Sequence, residues 1–580
     1  MASEPPSTQM STTTLPVDAD AHSTHEKSQH LPVNPTSGLG GSSKTSLSGD
    51  AAIAEKAEPA STPEEPPRTL KGPLWVLAVV SILSSTFLFS LDNTIVADVQ
   101  PRIIEQFGEI DKLPWLSVAF LLGALSTNLI WGKIYGQFNA KYLYILTVLL
   151  FEIGSAICGA ANMMDVLIFG RALAGIGGAG MYCGVLTLLS MTTTEHERPF
   201  YIGLSGLSWG TGTVLGPIVG GAFSDSAATW RWSFYINLVI GGLFAPVYIW
   251  ILPSIDPRQG VPTKTRLRQL DWTGAVLIVG AMISGVMAIS FGGITYAWES
   301  GRIIGLFCCS GVLFIVFGLQ QYYAILTTVE QRLFPLHFLK RKTMLILFAM
   351  TACAVTVVYT PIFFIPLFFQ FVRGDSALDA GVRLLPFVVL LVAAVMLNGA
   401  LMSAYGYYMP WYIFGGVFSI IGAALMYTVD EYSSVARIYG YTILLGIGGG
   451  AFCQASFSVA QAKVETREIS EAVGFITCAQ IGGATISLAI ANSVFINQSA
   501  NGVVKLLPDV PLEMVRDAIA GSGSAFFRSL ADDVQAQVLH VIIESISKTY
   551  ILAITAGALA TVLAMFMKME KLFLAAGGAG

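Results

Sequence analysis

Apolar residues in this chain come in long blocks separated by short polar stretches. Fourteen blocks can be read, near 74–96, 113–132, 142–161, 166–190, 199–222, 233–252, 272–291, 303–324, 344–366, 383–404, 410–428, 436–460, 472–494 and 549–569. A helix of about 20 residues crosses a hydrocarbon layer about 30 Å thick, so the pattern predicts fourteen membrane-spanning helices. Residues 1–72 are rich in Ser, Thr, Pro, Glu and His, cannot bury a core, and predict a disordered tail. No apolar core with a small-residue cleavage site precedes the first block, which is therefore expected to act as the insertion signal. One gap, 495–548, is long. Its second half, SLADDVQAQVLHVIIESIS, puts Leu530, Val534, Val538, Val541, Ile542 and Ile546 at steps of three and four. That spacing predicts an amphipathic helix on the outer surface, leading into the last span.

Composition agrees with the pattern and narrows the class. The chain has 580 residues, 54% hydrophobic and 12% charged, with mean hydropathy +0.66; a soluble protein carries about 25% charged residues. The net charge of -5 is small and gives no footing for a nucleic-acid partner. The bilayer is the partner that the composition demands. An even number of spans puts both termini on one side. Lys and Arg gather in the loops on the amino-terminal side, most densely at Lys264, Arg266 and Arg268 and at Lys340, Arg341 and Lys342, so both termini are expected in the cytoplasm. All seven cysteines fall inside apolar segments without disulfide or zinc spacing, and no metal, cofactor or enzymatic nucleophile is implied.

An internal repeat sets the architecture. A shift of 271 residues lays GIGG at 175–178 on GIGG at 446–449, Glu197 on Glu468, Gly203 on Gly474 and Gly212 on Gly483. Spans 4 and 5 thus match spans 12 and 13, an offset of eight helices that keeps the same direction. Two parallel six-helix bundles with spans 7 and 8 inserted between them satisfy this offset. The expected layout is a bundle at 73–252, a linker with two helices at 253–343, a second bundle at 344–570 containing the long outer loop, and a cytoplasmic tail at 571–580. The repeat also settles the run RALAGIGGAG, whose Gly175, Gly177 and Gly180 have dinucleotide-loop spacing. No strand precedes it and it lies within a span, so its glycines are expected to let helix backbones approach.

Charges inside hydrocarbon are expensive and point to function. Asp92, near the outer end of span 1, and Arg171, one and a half turns into span 4 from the same side, lie at equal depth. A proton or cation reaching Asp92 would weaken their pairing and favour another conformation; the plain alternative is a permanent ion pair that locks helix packing. Glu152, in the middle of span 3, is a second candidate for gaining and losing a proton, and Asp98 a weaker third. Asn128, Asn398, Gln454 and Gln480 are polar residues expected to face a cavity and able to orient a substrate, although such residues are more often helix-to-helix hydrogen bonds than ligand contacts.

In span 5, GLSWGTGTVLGPIVGG sets Gly212, Gly216, Pro217, Gly220 and Gly221 in the G-x-x-x-G-P-x-x-G-G pattern. With LDNTIVADVQP, GRALAGIGGAG, WRWSFYIN and FGGITYAW it resembles the fourteen-span drug:proton antiporter branch of the major facilitator superfamily, of the fungal toxin and multidrug efflux type. The resemblance spans roughly residues 73–570. In the loop after span 2, Gly132, Lys133 and Lys141 match the superfamily pattern, whereas Gly136 and Gln137 stand where an acidic residue is common. The resemblance implies export of a small organic molecule, apolar or amphipathic, in exchange for protons. It places Asp92 and Arg171 in the coupling region and the protein in the plasma membrane or the vacuolar membrane. The competing expectation on the same fold is a proton symporter importing a nutrient or iron chelate. One chain holds both halves of the cavity, so a monomer suffices.

Overall fold

Hydrocarbon offers a backbone no water to bond, so each apolar block closes its own hydrogen bonds as a helix. A computed structural model of the chain describes residues 70–572 apart from 110, 111, 113, 225, 294, 295, 512, 513, 516–518, 520–526 and 528. The tail expected to be disordered falls outside the described residues, as does most of the carboxyl-terminal tail.

The spans are Pro73–Phe107, Pro114–Tyr135, Ala140–Ala160, Met164–Thr192, Arg198–Ser224, Trp232–Trp250, Trp272–Phe291, Gly301–Tyr323, Lys342–Arg373, Leu385–Tyr405, Met409–Tyr427, the broken helix Val435–Phe452 with Ala455–Ala462, then Ile469–Leu506 and Asp532–Met565. Thirteen are long and apolar enough to cross a membrane. Span 5, Arg198–Ser224, falls outside that set because glycines, serines and threonines dilute it, yet it is 27 residues long and runs between spans 4 and 6 like the rest. The chain is a multi-pass membrane protein. Its near face carries the start of span 1, and its far face the end.

The packing repeats with the sequence. In the first bundle span 3 packs on span 4, span 2 on span 4, span 1 on spans 5 and 6, and span 3 on span 6. Adding eight gives the contacts of the second bundle: 11 on 12, 10 on 12, 9 on 13 and 14, and 11 on 14. The two bundles meet along two equivalent seams, span 5 with span 10 and span 2 with span 13. Inserted spans 7 and 8 pair with each other, and span 7 lies against spans 2 and 13, where Val286 meets Leu125 and Ile481.

Three details differ from the sequence expectation. Span 1 runs on to Phe107, well beyond its apolar block, so Asp92 sits inside the helix and not near its end. The segment expected to form a separate surface helix is instead the start of one continuous helix, Asp532–Met565. Its apolar stripe is satisfied by protein, with Val538, Ile542 and Ile546 all nearly fully buried. Span 13 likewise continues to Leu506, and Gly502 lies so close to Val541 that a Cβ there would collide. The stretch between spans 13 and 14 is thereby shortened from 495–548 to 507–531. The glycines of GIGGAG do serve close approach: a Cβ on Gly175 would strike the Phe120 carbonyl, and one on Gly177 the Phe151 amide.

Candidate functional site

Spans 4 and 12 face each other across the axis relating the bundles. Their repeat mates Ser190 and Gln461, 271 residues apart, are bonded directly, the Ser190 hydroxyl donating to Gln461 Oε1 at 2.6 Å. This contact belongs to a closed half of the interface, on the near-face side. There Asn128 donates to the Gly474 carbonyl at 3.0 Å, and Ser403 donates to the His196 carbonyl. Gly132 and Gly474 are in backbone contact, leaving a Cβ on Gly474 only 2.9 Å from the Gly132 Cα.

Lys133, its side chain 5% exposed, ties three parts of the chain together. Its ammonium is 2.7 Å from Glu471 Oε1 at the start of span 13 and donates to the Glu330 carbonyl, in the loop after span 8, at 2.8 Å. Lacking an acidic partner in its own loop, it finds one across the seam. Nearby, Glu468 receives Arg341 at 3.4 Å and His337 at 3.3 Å. Burial lowers the His337 imidazole from its usual pKa despite that carboxylate. Removing the Lys133 ammonium leaves Glu471 without its cation, so Lys133→Ala is expected to loosen the near face. The measurement is alkylation of Gln461→Cys, read by mass spectrometry at that peptide: a rise of several-fold is expected, and unchanged labelling would show that Lys133 does not hold the seam.

On the far-face side the bundles separate around a cavity of about 450 Å³. Spans 1, 2 and 5 supply one wall, spans 9 and 13 the other, and the outer end of span 7 a third. Its polar residues include Asn93, Thr94, Gln370, Gln480 and Asn492, and its aromatic ones Phe89, Trp209 and Tyr359.

Asp92 and Arg171 are brought together, but inside the first bundle and away from this cavity. Both are fully buried. Arg171 Nη1 bonds Asp92 Oδ2, its Nε donates to the Leu116 carbonyl at 3.0 Å, and its guanidinium lies 4.3 Å from the centre of the Phe120 ring. Asn237 of span 6 donates to Asp92 Oδ1 at 3.0 Å and contacts the Ser155 hydroxyl at 3.1 Å. Asn237 was not singled out in the sequence; its place in WRWSFYIN, a stretch that carried the resemblance, was the signal that could have found it. Glu152 makes no hydrogen bond to this group: both its carboxyl oxygens are buried without a partner, one of them so near Gly241 of span 6 that a Cβ there would collide. The Asp98 side chain is outside the described residues.

Of the four residues expected to face the cavity, Gln480 lines it. Asn128 is instead a bond across the closed seam, and Asn398, 3% exposed, is buried in span 10 next to Gly399, which contacts Gly203. Gln454 is buried outside the cavity lining, at the distorted point of span 12. In span 5, Gly212 and Gly216 do pack on span 1, since a Cβ on either would come within 3.0 Å of its backbone amides. Gly220 is buried and Pro217 lines the cavity. Gly221 faces open space and is not a packing position, because it lies one residue, or about 100°, around the helix from Gly220. Gly132 and Lys133 are at the seam, while Lys141 gives its backbone N–H to the Asn139 cap at 3.1 Å.

Two parallel bundles around one cleft define a known architecture, and the sequence comparison decides which. Residues 82–487 match the family model of the Major Facilitator Superfamily. The chain belongs to the major facilitator superfamily. Among curated members, an MFS-type transporter, pgmG, of Aspergillus terreus is 58% identical over 88% of this chain and 91% of its own. The efflux pump alnA of Emericella nidulans is 48% identical over 89% and 94%, and the efflux pump patC of Aspergillus clavatus 43% identical over 90% and 96%. Among solved structures, the human organic anion transporter MFSD10 aligns with TM-score 0.55 at 11% identity, over 84% of this chain and 100% of that one. The proton:xylose symporter XylE aligns with TM-score 0.54 at 12% identity, over 85% and 95%. At such identities the likeness is one of fold. As a member of this superfamily the chain is a membrane transporter for a small molecule.

Proposed function

We propose that the chain exports a small organic molecule by alternating access, driven by proton entry. The observation that carries this is the division of the interface into a cavity on the far-face half and a bonded seam on the near-face half. A membrane transporter must close one half while the other opens, and symmetric bundles supply two such arrangements. With both termini in the cytoplasm, the cavity faces outward. The relatives named efflux pumps favour export, since likeness to a symporter extends only to the fold. Asp92 is the proton acceptor in this reading, and Arg171 the charge that senses its state. Glu152 is a second acceptor. The protein works as a monomer in the plasma membrane.

Everted vesicles with an acidified lumen test the direction. A radiolabelled small apolar organic molecule serves as cargo. Antiport predicts accumulation inside the vesicles that collapses when the pH gradient is dissipated. Gradient-driven loss of preloaded cargo would instead establish symport and overturn the reading.

A further inference from the structure

The cavity floor contains polar groups for which export by itself gives no reason. Gln480 lines the cavity, is 7% exposed, and its Oε1 has no hydrogen-bond partner. Gln454, outside the lining, is 6% exposed with its Oε1 also unpartnered. The fully buried Tyr182 hydroxyl lies beside both carboxamides. A buried polar atom without a partner is costly, and the single hydroxyl proton of Tyr182 cannot satisfy both carboxamide oxygens, which leaves an acceptor for a ligand. The helix is distorted at the same point: Cys453 and Gln454 keep right-handed helical dihedrals, but the hydrogen-bond ladder of span 12 is disturbed between Phe452 and Ala455, whereas its repeat mate, span 4, passes Tyr182 undisturbed.

The repeat shows how the two sides of the floor diverged. Trp209 is the mate of Gln480, and Tyr182 the mate of Cys453. The first bundle therefore presents a cluster of rings, with Phe89 stacked on Tyr182 at 5.8 Å and on edge to Trp209 at 5.4 Å. The second bundle presents amides at the equivalent depth. Charge is missing from this arrangement. Among the described residues lining the cavity there is no Asp, Glu, Lys, Arg or His, and the Asp92–Arg171 pair is sealed behind them. A charged ligand would lose its hydration here and gain no counter-ion.

We propose that this floor selects an uncharged, flat-ringed molecule, its ring against Phe89 and Trp209 and a hydroxyl or other hydrogen-bonding group on Gln480, with Gln454 and Tyr182 behind it. Gln480 is the specificity-determining residue. The inference rests on the transport reading and deepens it, since it assigns the cargo's charge and shape.

Equilibrium binding tests it in the intact protein in lipid nanodiscs, by energy transfer from tryptophan to an anthracene probe, with protein-free nanodiscs subtracted. Four probes share the ring: anthracenemethanol, methylanthracene, anthracenecarboxylate and anthracenylmethyl-trimethylammonium. Anthracenemethanol is expected to bind about tenfold tighter than methylanthracene, the worth of one buried hydrogen bond, and about tenfold or more tighter than either ion. Gln480→Leu is expected to erase the first difference, and an unchanged thermal melt reports that the variant is folded. An ion binding as well as the alcohol, or an alcohol preference that survives Gln480→Leu, would overturn the proposal. Flux and binding are separate readings: discrimination here without gradient-driven accumulation would refute export and leave the site, and accumulation without discrimination would do the reverse.

Discussion

Replacing Asp92 with Asn is expected to abolish pH-gradient-driven transport, with a loss of about a hundredfold or more, in a protein that still folds. The amide keeps the shape of the carboxyl and its position against Asn237 and Arg171, but it cannot take up or release a proton. It also leaves the Arg171 guanidinium buried without a counter-ion. Breaking a buried pair by neutralising one partner costs about 3–5 kcal/mol, here offset in part by the Leu116 carbonyl and the Phe120 ring. A cost of that size is comparable to what moves a two-state equilibrium from one side to the other, about 5.5 kcal/mol. The variant should therefore rest in one conformation and fail to exchange. Cargo binding should survive, because Asp92 does not line the cavity. Flux assays beside a thermal melt check this: unchanged proton-driven flux in a folded variant would remove Asp92 from the mechanism. Arg171→Ala has the complementary expectation of a shifted pH optimum, and an unaltered profile would make the pair purely structural.

The second large effect is expected at Gly474. Its hydrogen fills the space where a Cβ would sit 2.9 Å from the Gly132 Cα, and real contacts do not come so close. Gly474→Val cannot close the near face without parting spans 2 and 13 and breaking the bonds of Asn128 and Lys133 across that seam. The opposite conformation, with the near face open, removes the conflict. Transport should fall to background while the protein remains monodisperse, and the Gln461→Cys position should label as if permanently open. Normal transport in Gly474→Val would mean that the seam need not close.

The sequence carried the architecture because the repeat is a property of spacing, and a shift of 271 residues needs no knowledge of how any helix is rotated. Ser190 and Gln461, mates by that shift, turn out to be in contact. Rotation is where legibility ended. Asp92 and Asn93 are neighbours, yet Asn93 faces the cavity and Asp92 the bundle interior; hydrocarbon-length helices are apolar all round and carry no amphipathic stripe to tell the two apart. The same ambiguity put Asn128 and Asn398 in the cavity and passed over Asn492 and Gln370. A three-four stripe at Val538, Ile542 and Ile546 is equally consistent with a membrane surface and with a neighbouring helix, and the extended end of span 13 is what covers it. The Lys133 partner was hidden for a different reason: Glu471 is 338 residues away, and only the folded interface brings it near.

In the proposed cycle the two halves of the interface open in alternation under control of the Asp92 proton. Distances between spin labels measure this directly, one pair at Glu195 and Tyr405 on the near face and another at Glu105 and Tyr432 on the far face, all exposed positions. On going from neutral to acid pH the two distances are predicted to change in opposite directions, and the Asp92→Asn background should abolish the response. Distances that move together, or that respond to pH equally well without Asp92, would contradict the account.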